Sequence, residues 1–206
     1  MSRFRGFAVI YFMEREREFA LVSRLRAGDV TAFDDVFDAF NYRLLNFLTR
    51  MAKNRSVAED LLEETWLRLV SRGEDLNADT RLGPWLFTVA RNLYFSHCRN
   101  RAREQSYTAD LTLLWPGGLP QSPLDMASLS EFEQRLEAAL ALLPPKYREV
   151  LLLVGVEGLR PLEAALVCGI SPESLRQRLS RARQLISRLL AGQDAYRETV
   201  RGKVSL

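Results

Sequence analysis

Apolar residues recur at intervals of three and four along most of this chain, and no segment alternates convincingly in the manner of a strand. The clearest run is Phe33, Val36, Phe37, Phe40, Leu44, Phe47, Leu48 and Met51. It predicts one long amphipathic helix capped by Asp29, with a short helix before it through Phe19, Leu21, Val22 and Leu25 that Gly28 stops. Ser56-Val57-Ala58-Glu59 reads as a capping box for a third helix with Ala58, Leu61, Leu62, Thr65 and Leu69 on its buried face. Residues 71–84 read as a polar loop closed by Gly83-Pro84. A fourth helix follows to about Arg103, with Leu86, Val89, Ala90, Leu93 and His97 along one side.

A second helical block spans about 129–191. Ser130-Glu131-Phe132-Glu133 is a capping box ahead of Phe132, Leu136, Ala139, Leu140 and Leu143. Pro144-Pro145 ends that helix, and Pro145 suits the first turn of the next, which carries Tyr147, Val150, Leu151 and Val154. A short helix from about Pro161 to Cys168 ends on Gly169, and Ser171 caps a last helix with Pro172 at its first position. The fold class is all-α, two small helical domains of about 19–103 and 129–191. Residues 104–128, rich in proline, serine and glycine, read as a flexible linker. Residues 1–18 read as an N-terminal extension and 192–206 as a C-terminal tail. Phe7 to Met13 faintly resembles a signal peptide, but the charged stretch Glu14 to Glu18 offers no small-residue cleavage site.

Composition narrows the function. The 47% of hydrophobic residues suffices for a core, yet no apolar run is long enough to span a bilayer. Cys98 and Cys168 are far apart and read as unpaired thiols in a reducing, cytoplasmic setting; with His97 as the one histidine, neither a metal site nor another cofactor is expected. No glycine-rich phosphate loop and no acid–base constellation emerges, so the chain does not read as an enzyme. Net charge is only +3, so its location matters more than its size.

Three constellations carry the charge. First, residues 161–190 form a helix-turn-helix, whose second helix would enter the major groove. At 100° per residue, Leu175, Leu179, Ala182, Ile186 and Leu189 share one stripe, while Glu173, Gln177, Ser180 and Gln184 lie opposite, flanked by Arg176 and Arg181. Arginine and glutamine can read guanine and adenine edges. Arg178, Arg183 and Arg188 are better placed for phosphates. A solvated basic face on a bundle helix is the plainer reading, which the capped turn argues against.

Second, the helix from Trp85 to Arg103 has no carboxylate and interleaves Arg91, Arg99, Arg101 and Arg103 with Asn92, Tyr94, Phe95 and His97. Cations that follow phosphates beside rings that stack on bases suit a single strand. Tyr94 and Phe95 could equally be core residues. Third, Val57 to Glu64 has four carboxylates and no base, an acidic surface that suits a basic protein partner or simply a solvated face.

At these residues the sequence resembles a known family. AEDLLEETWLRLV (58–70) resembles sigma region 2.2, WLFTVARNLYFSHCRNRAR (85–103) regions 2.3 and 2.4, and 143–190 region 4, in the order of the extracytoplasmic-function (ECF) sigma factors of the sigma-70 superfamily. The resemblance implies an alternative sigma factor that binds core RNA polymerase and directs promoter recognition, −10 melting and transcription initiation. It implies docking of Asp60, Glu63, Glu64 and Leu67 on the polymerase β′ coiled coil, and contact with the β flap. It implies −10 capture by Asn77 and Asp79 of the loop and by Arg91, Asn92, Tyr94, Phe95, Arg99 and Arg101. It implies −35 reading by Ser171, Glu173, Ser174, Arg176, Gln177, Arg178, Ser180, Arg181 and Arg183. Control by an anti-sigma factor is also implied. The sequence departs from the usual pattern at Glu63, where the family has Gln, at Pro161 to Ala165, and at Ser174 to Gln177.

Two other classes use parts of the same pattern. A DNA-binding activator needs the helix-turn-helix but not a basic-aromatic helix beside an acidic one. A protein-binding adaptor needs neither cationic helix.

Overall fold

The computed structural model describes residues 15–107 and 130–204, with side chains described for 15–103 and 130–192. Most of the expected linker, and the apolar run Phe7 to Met13, lie outside the described residues. Those described form the helices α1 (Arg15–Arg26), α2 (Val30–Ala52), α3 (Arg55–Arg72), α4 (Leu82–Tyr107), α5 (Glu131–Leu142), α6 (Pro145–Leu151), α7 (Pro161–Cys168) and α8 (Pro172–Val204). No strand occurs among the described residues.

Several starts and stops follow from local chemistry. Asp29 accepts the Thr31 amide at the head of α2. Ser130 and Glu133 form the reciprocal box that opens α5. Gly169 closes α7 at φ +63°, where a Cβ would be strained, and Ser171 then accepts the Ser174 amide to open α8. Elsewhere tertiary packing moved the boundary. The cap of α3 is Asn54, which accepts the Val57 amide, so the expected Ser56–Glu59 box does not form; Glu59 instead pairs with Arg55 at 2.6 Å. Helix α1 begins at Arg15, inside the expected extension, because Glu18 is buried and accepts from Arg81 and the Gly83 amide. That carboxylate satisfies an orphan donor at the head of α4 and so starts α4 at Leu82 rather than Pro84. At the other end α8 runs on to Val204 through the expected tail.

Helices α2, α3 and α4 pack on one another, with α1 against α2. Phe47 of α2 and Phe87 of α4 meet edge to face at 5.4 Å, and Trp66 of α3 donates its indole N–H to Asn41 at 3.0 Å. In the second unit, α6 and α7 support α8, and α6 relaxes into a π-helical turn over Leu152–Val156. The two units do not stand apart. Helix α4 lies along α7, and the buried apolar residues of both units form one continuous cluster.

Four ion pairs cross the seam between them, each with its arginine on the first unit. Arg43, Arg50, Arg81 and Arg91 of the first unit meet Glu157 (3.1 Å), Glu137 (2.7 Å), Glu163 (3.2 Å) and Glu149 (2.8 Å) of the second. Arg148 crosses the same seam without a carboxylate. Its guanidinium, 1% exposed, donates to the carbonyls of Leu140, Ala141 and Leu143 at the end of α5 and to those of Arg50 and Met51 at the end of α2. Two helix C-termini therefore supply the negative potential that a buried cation requires.

Candidate nucleic-acid interface

Helix α8 presents the expected outer face. Leu175, Leu179 and Ala182 are buried, with Ile186 and Leu189 partly so. Glu173, Arg176, Gln177, Ser180, Arg181, Arg183 and Gln184 are exposed, and Ser171 stands exposed at the cap. Ser174 is half-buried. Arg176 is held by Glu173 at 2.6 Å, an exposed pair whose screened attraction costs a competing ligand little. Arg178 differs: it is half-buried and leans toward Glu149 at 3.4 Å.

Helix α4 is divided. Asn92, Arg99 and Arg101 are exposed, with Arg99 donating to Ser96 at 2.9 Å. Asn77 and Asp79 are exposed on the preceding loop. Arg91 is tied to Glu149 and lies 4.7 Å over the Phe95 ring. Tyr94 is 6% exposed, its ring edge to face with Phe95 at 5.1 Å. The expected stacking surface at Tyr94 is thus closed in this conformation. The reason is rotation of the buried stripe: Leu82, Leu86, Ala90 and Tyr94, four apart, face the core, whereas Val89, Leu93 and His97 are only half-buried. Burial, with Cys98 beside it, pushes the Tyr94 phenol well above its ordinary range.

On α3, Asp60, Glu63 and Leu67 share an exposed side, and Val70, 65% exposed, extends it by one turn. Val70 was not singled out from the sequence, although its i, i+3 relation to Leu67 places it there. Glu64 is half-buried and pairs with Arg68 at 2.9 Å.

Glu149, which sequence reasoning did not single out, lies where these surfaces meet. It is 1% exposed and faces Arg91 of α4 and Arg178 of α8. Burial raises its pKa, and the two arginines only partly offset that. Glu157 shows the same balance against Arg43. Cys168, close to Glu149, is buried and its thiol is pushed up to about 12, which makes it a poor nucleophile. Cys98 is exposed. Among the described residues, no cluster of histidine, cysteine and carboxylates could hold a metal ion. No described helix is long and apolar enough to cross a membrane.

Comparison with known proteins gives the arrangement its context. Residues 36–104 match the family model "Sigma-70 region 2", and 133–186 match "Sigma-70, region 4". The chain is 36% identical to the ECF RNA polymerase sigma factor EcfG of Rhodopseudomonas palustris over 76% of its own length and 83% of the relative's. It is 31% identical to the RNA polymerase sigma factor CarQ of Myxococcus xanthus, over 82% and 95% respectively. Among solved structures it is similar to the sigma factor RpoE of Bartonella quintana in complex with the anti-sigma factor NepR (25% identity, TM-score 0.60, 85% of this chain and 95% of that one). The fold also matches CnrH in complex with the cytosolic domain of CnrY (20% identity, TM-score 0.62, 85% and 97%). With both region models in order on the two helical units, and these relatives matched over more than four-fifths of their length, the chain belongs to the ECF RNA polymerase sigma factor family.

Proposed function

We propose that this chain is a promoter-specificity subunit that works by binding alone. The α3 face of Asp60, Glu63, Leu67 and Val70 docks on the polymerase β′ coiled coil. Helix α8 lies in the major groove of the −35 element, with Arg176, Gln177 and Arg181 at base edges and Arg183 at phosphates. Helix α4 and the loop before it take the −10 strand through Asn77, Asp79, Asn92, Arg99 and Arg101, and through Arg91, Tyr94 and Phe95 once these are uncovered. Melting is then driven by preferential binding of the open strand. An anti-sigma factor holds the chain inactive until it is needed; in support, the similar RpoE of Bartonella quintana forms a complex with the anti-sigma factor NepR.

The observation that carries this reading is the open, polar and cationic outer face of α8 on a well-capped helix-turn-helix, in a chain that also presents an exposed acidic-apolar helix. The test is transcription in vitro with core polymerase from the DNA upstream of the protein's own gene. Arg176→Glu with Arg181→Glu should abolish −35 binding and initiation while leaving core binding intact. Unchanged transcription by that variant would refute the assignment of α8. Promoter binding without core polymerase and without any effect on initiation would favour the activator.

A further inference from the structure

The loop between α3 and α4 exposes Asn77 and Asp79, and its own chemistry supplies only part of what holds it. Leu76 is buried, and the Thr80 amide donates to the Asn77 carbonyl at 2.9 Å, closing a turn around Ala78 and Asp79. Further constraints come from α1. A Cβ on Gly28, just past the end of α1, would lie 3.6 Å from the Glu74 carboxylate near the start of the loop. In the first turn of α1, buried Glu18 holds the loop's exit: one carboxylate oxygen accepts from Arg81 and the other from the Gly83 amide at 3.2 Å. Gly83 is in turn close against α2, where an added Cβ would meet the Phe40 ring at 3.4 Å. Helix α1 thus backs the loop from its entry to its exit.

Packing alone does not call for a carboxylate at position 18. The Glu18 side chain is 5% exposed, and Arg81 restores only part of the solvation it loses, so the pair is weak evidence for stability. What two bonds on one buried carboxylate do supply is position. Arg81 also reaches Glu163 at 3.2 Å, and Glu18 is the group that joins the Arg81 side chain to the backbone at Gly83. Hydrogen bonds to a base edge are short and directional, and a loop reads bases only when a rigid scaffold aims it.

We propose that Glu18 is a positioning residue for −10 recognition: from α1 it fixes the exit of this loop, so that Asn77 and Asp79 meet an unpaired base in one geometry. This role rests on the reading of the loop as part of the −10 site. It extends the site to a helix that precedes the region 2 match, which begins at residue 36.

The test is transcription in vitro by the full chain with core polymerase, from the DNA upstream of its own gene with each −10 base replaced in turn. Asn77→Ala and Asp79→Ala identify the base read by the loop, as the one whose preference they reduce. Glu18→Ala should reduce the preference at that same base about tenfold, with −35 preferences and core binding unchanged. Glu18→Gln is isosteric and keeps an oxygen for the Gly83 amide; it should fold as the parent does and lose about threefold. Val22→Ala, at a fully buried position on the same helix, should lower the melting temperature and leave the preference intact.

Initiation reduced equally on every base by Glu18→Ala would make the residue merely structural and overturn the proposal. So would a Val22→Ala chain that loses the preference as strongly, or parent preference in Glu18→Gln. If the Asn77 and Asp79 variants leave every −10 preference unchanged, the reading of the loop falls and the role of Glu18 with it. If they shift a preference that both Glu18 variants retain, the loop keeps its assignment and the positioning role alone is lost.

Discussion

Arg148 is the side chain whose loss should weaken this fold most for its position. Arg148→Met keeps the length and the apolar stem but removes every donor. Five carbonyls, those of Arg50, Met51, Leu140, Ala141 and Leu143, lose a charge-assisted bond of 2.7–3.2 Å. The Leu140 carbonyl keeps the Leu143 amide as a donor; a buried acceptor left without a donor costs about 1–3 kcal/mol, so the gross loss for the other four is on the order of 4–12 kcal/mol. Against this stands the desolvation of the guanidinium, several kcal/mol, which methionine does not incur. Burial indeed lowers the Arg148 pKa, with no carboxylate to oppose it. The net loss should be about 3–5 kcal/mol, or roughly 6–20 °C in melting temperature for a chain of this size. Arg148→Lys should fall between, because three ammonium donors cannot serve five acceptors. Urea unfolding followed by circular dichroism measures both variants. Since three acceptors lie in the second unit and two in the first, Arg148→Met should also lower fluorescence transfer between dyes on Ser23→Cys and Ser187→Cys, exposed positions one on each unit, in a Cys98→Ser, Cys168→Ala background. Stability of Arg148→Met within about 1 kcal/mol of the parent would refute the view that two helix ends are held together by this cation.

Packing of the two units into the closed form seen here, as against an open form in which they separate, should also respond to pH. Glu149 faces Arg91, Arg178, Tyr94 and Cys168, and Glu157 faces Arg43 and Arg50; burial raises both carboxyls above the ordinary 4.5. The closed form therefore binds more protons than the open one. Its favourable contribution is complete below the ordinary value and is lost as pH rises through the raised values. Fluorescence transfer should fall across that window, and a rise would contradict the assignment. For the same reason Glu149→Gln should leave the chain closed, since a neutral isostere avoids the burial penalty. On α3, Asp60→Arg with Glu63→Arg should weaken core polymerase binding at least about tenfold, more at low salt, with melting temperature unchanged. Equal affinity in a pull-down titration would remove α3 from the docking surface.

Much of this protein is written locally. The 3.6-residue period gave the helices of both units, and short-range caps at Asp29, Ser130, Gly169 and Ser171 set their ends, because each cap bond joins atoms within a few residues. The outer face of α8 was legible for the same reason: once Leu175, Leu179 and Ala182 are inside, helix geometry forces Arg176, Gln177, Ser180 and Arg181 outward. What the sequence alone left open was which face of α4 would be buried. Tyr94 and Phe95 suit a stacking surface or a core, and for Tyr94 tertiary packing decided, with Arg148 and Glu149 of α6 in the other unit among its neighbours. Likewise nothing near Glu149 marks it as the partner of Arg91, or Glu157 as that of Arg43, for these pairs lie 58 and 114 residues apart. Local pattern determines which side chains share a helix face. Only the packed structure determines which faces meet, because that depends on shape and charge brought together from distant parts of the chain.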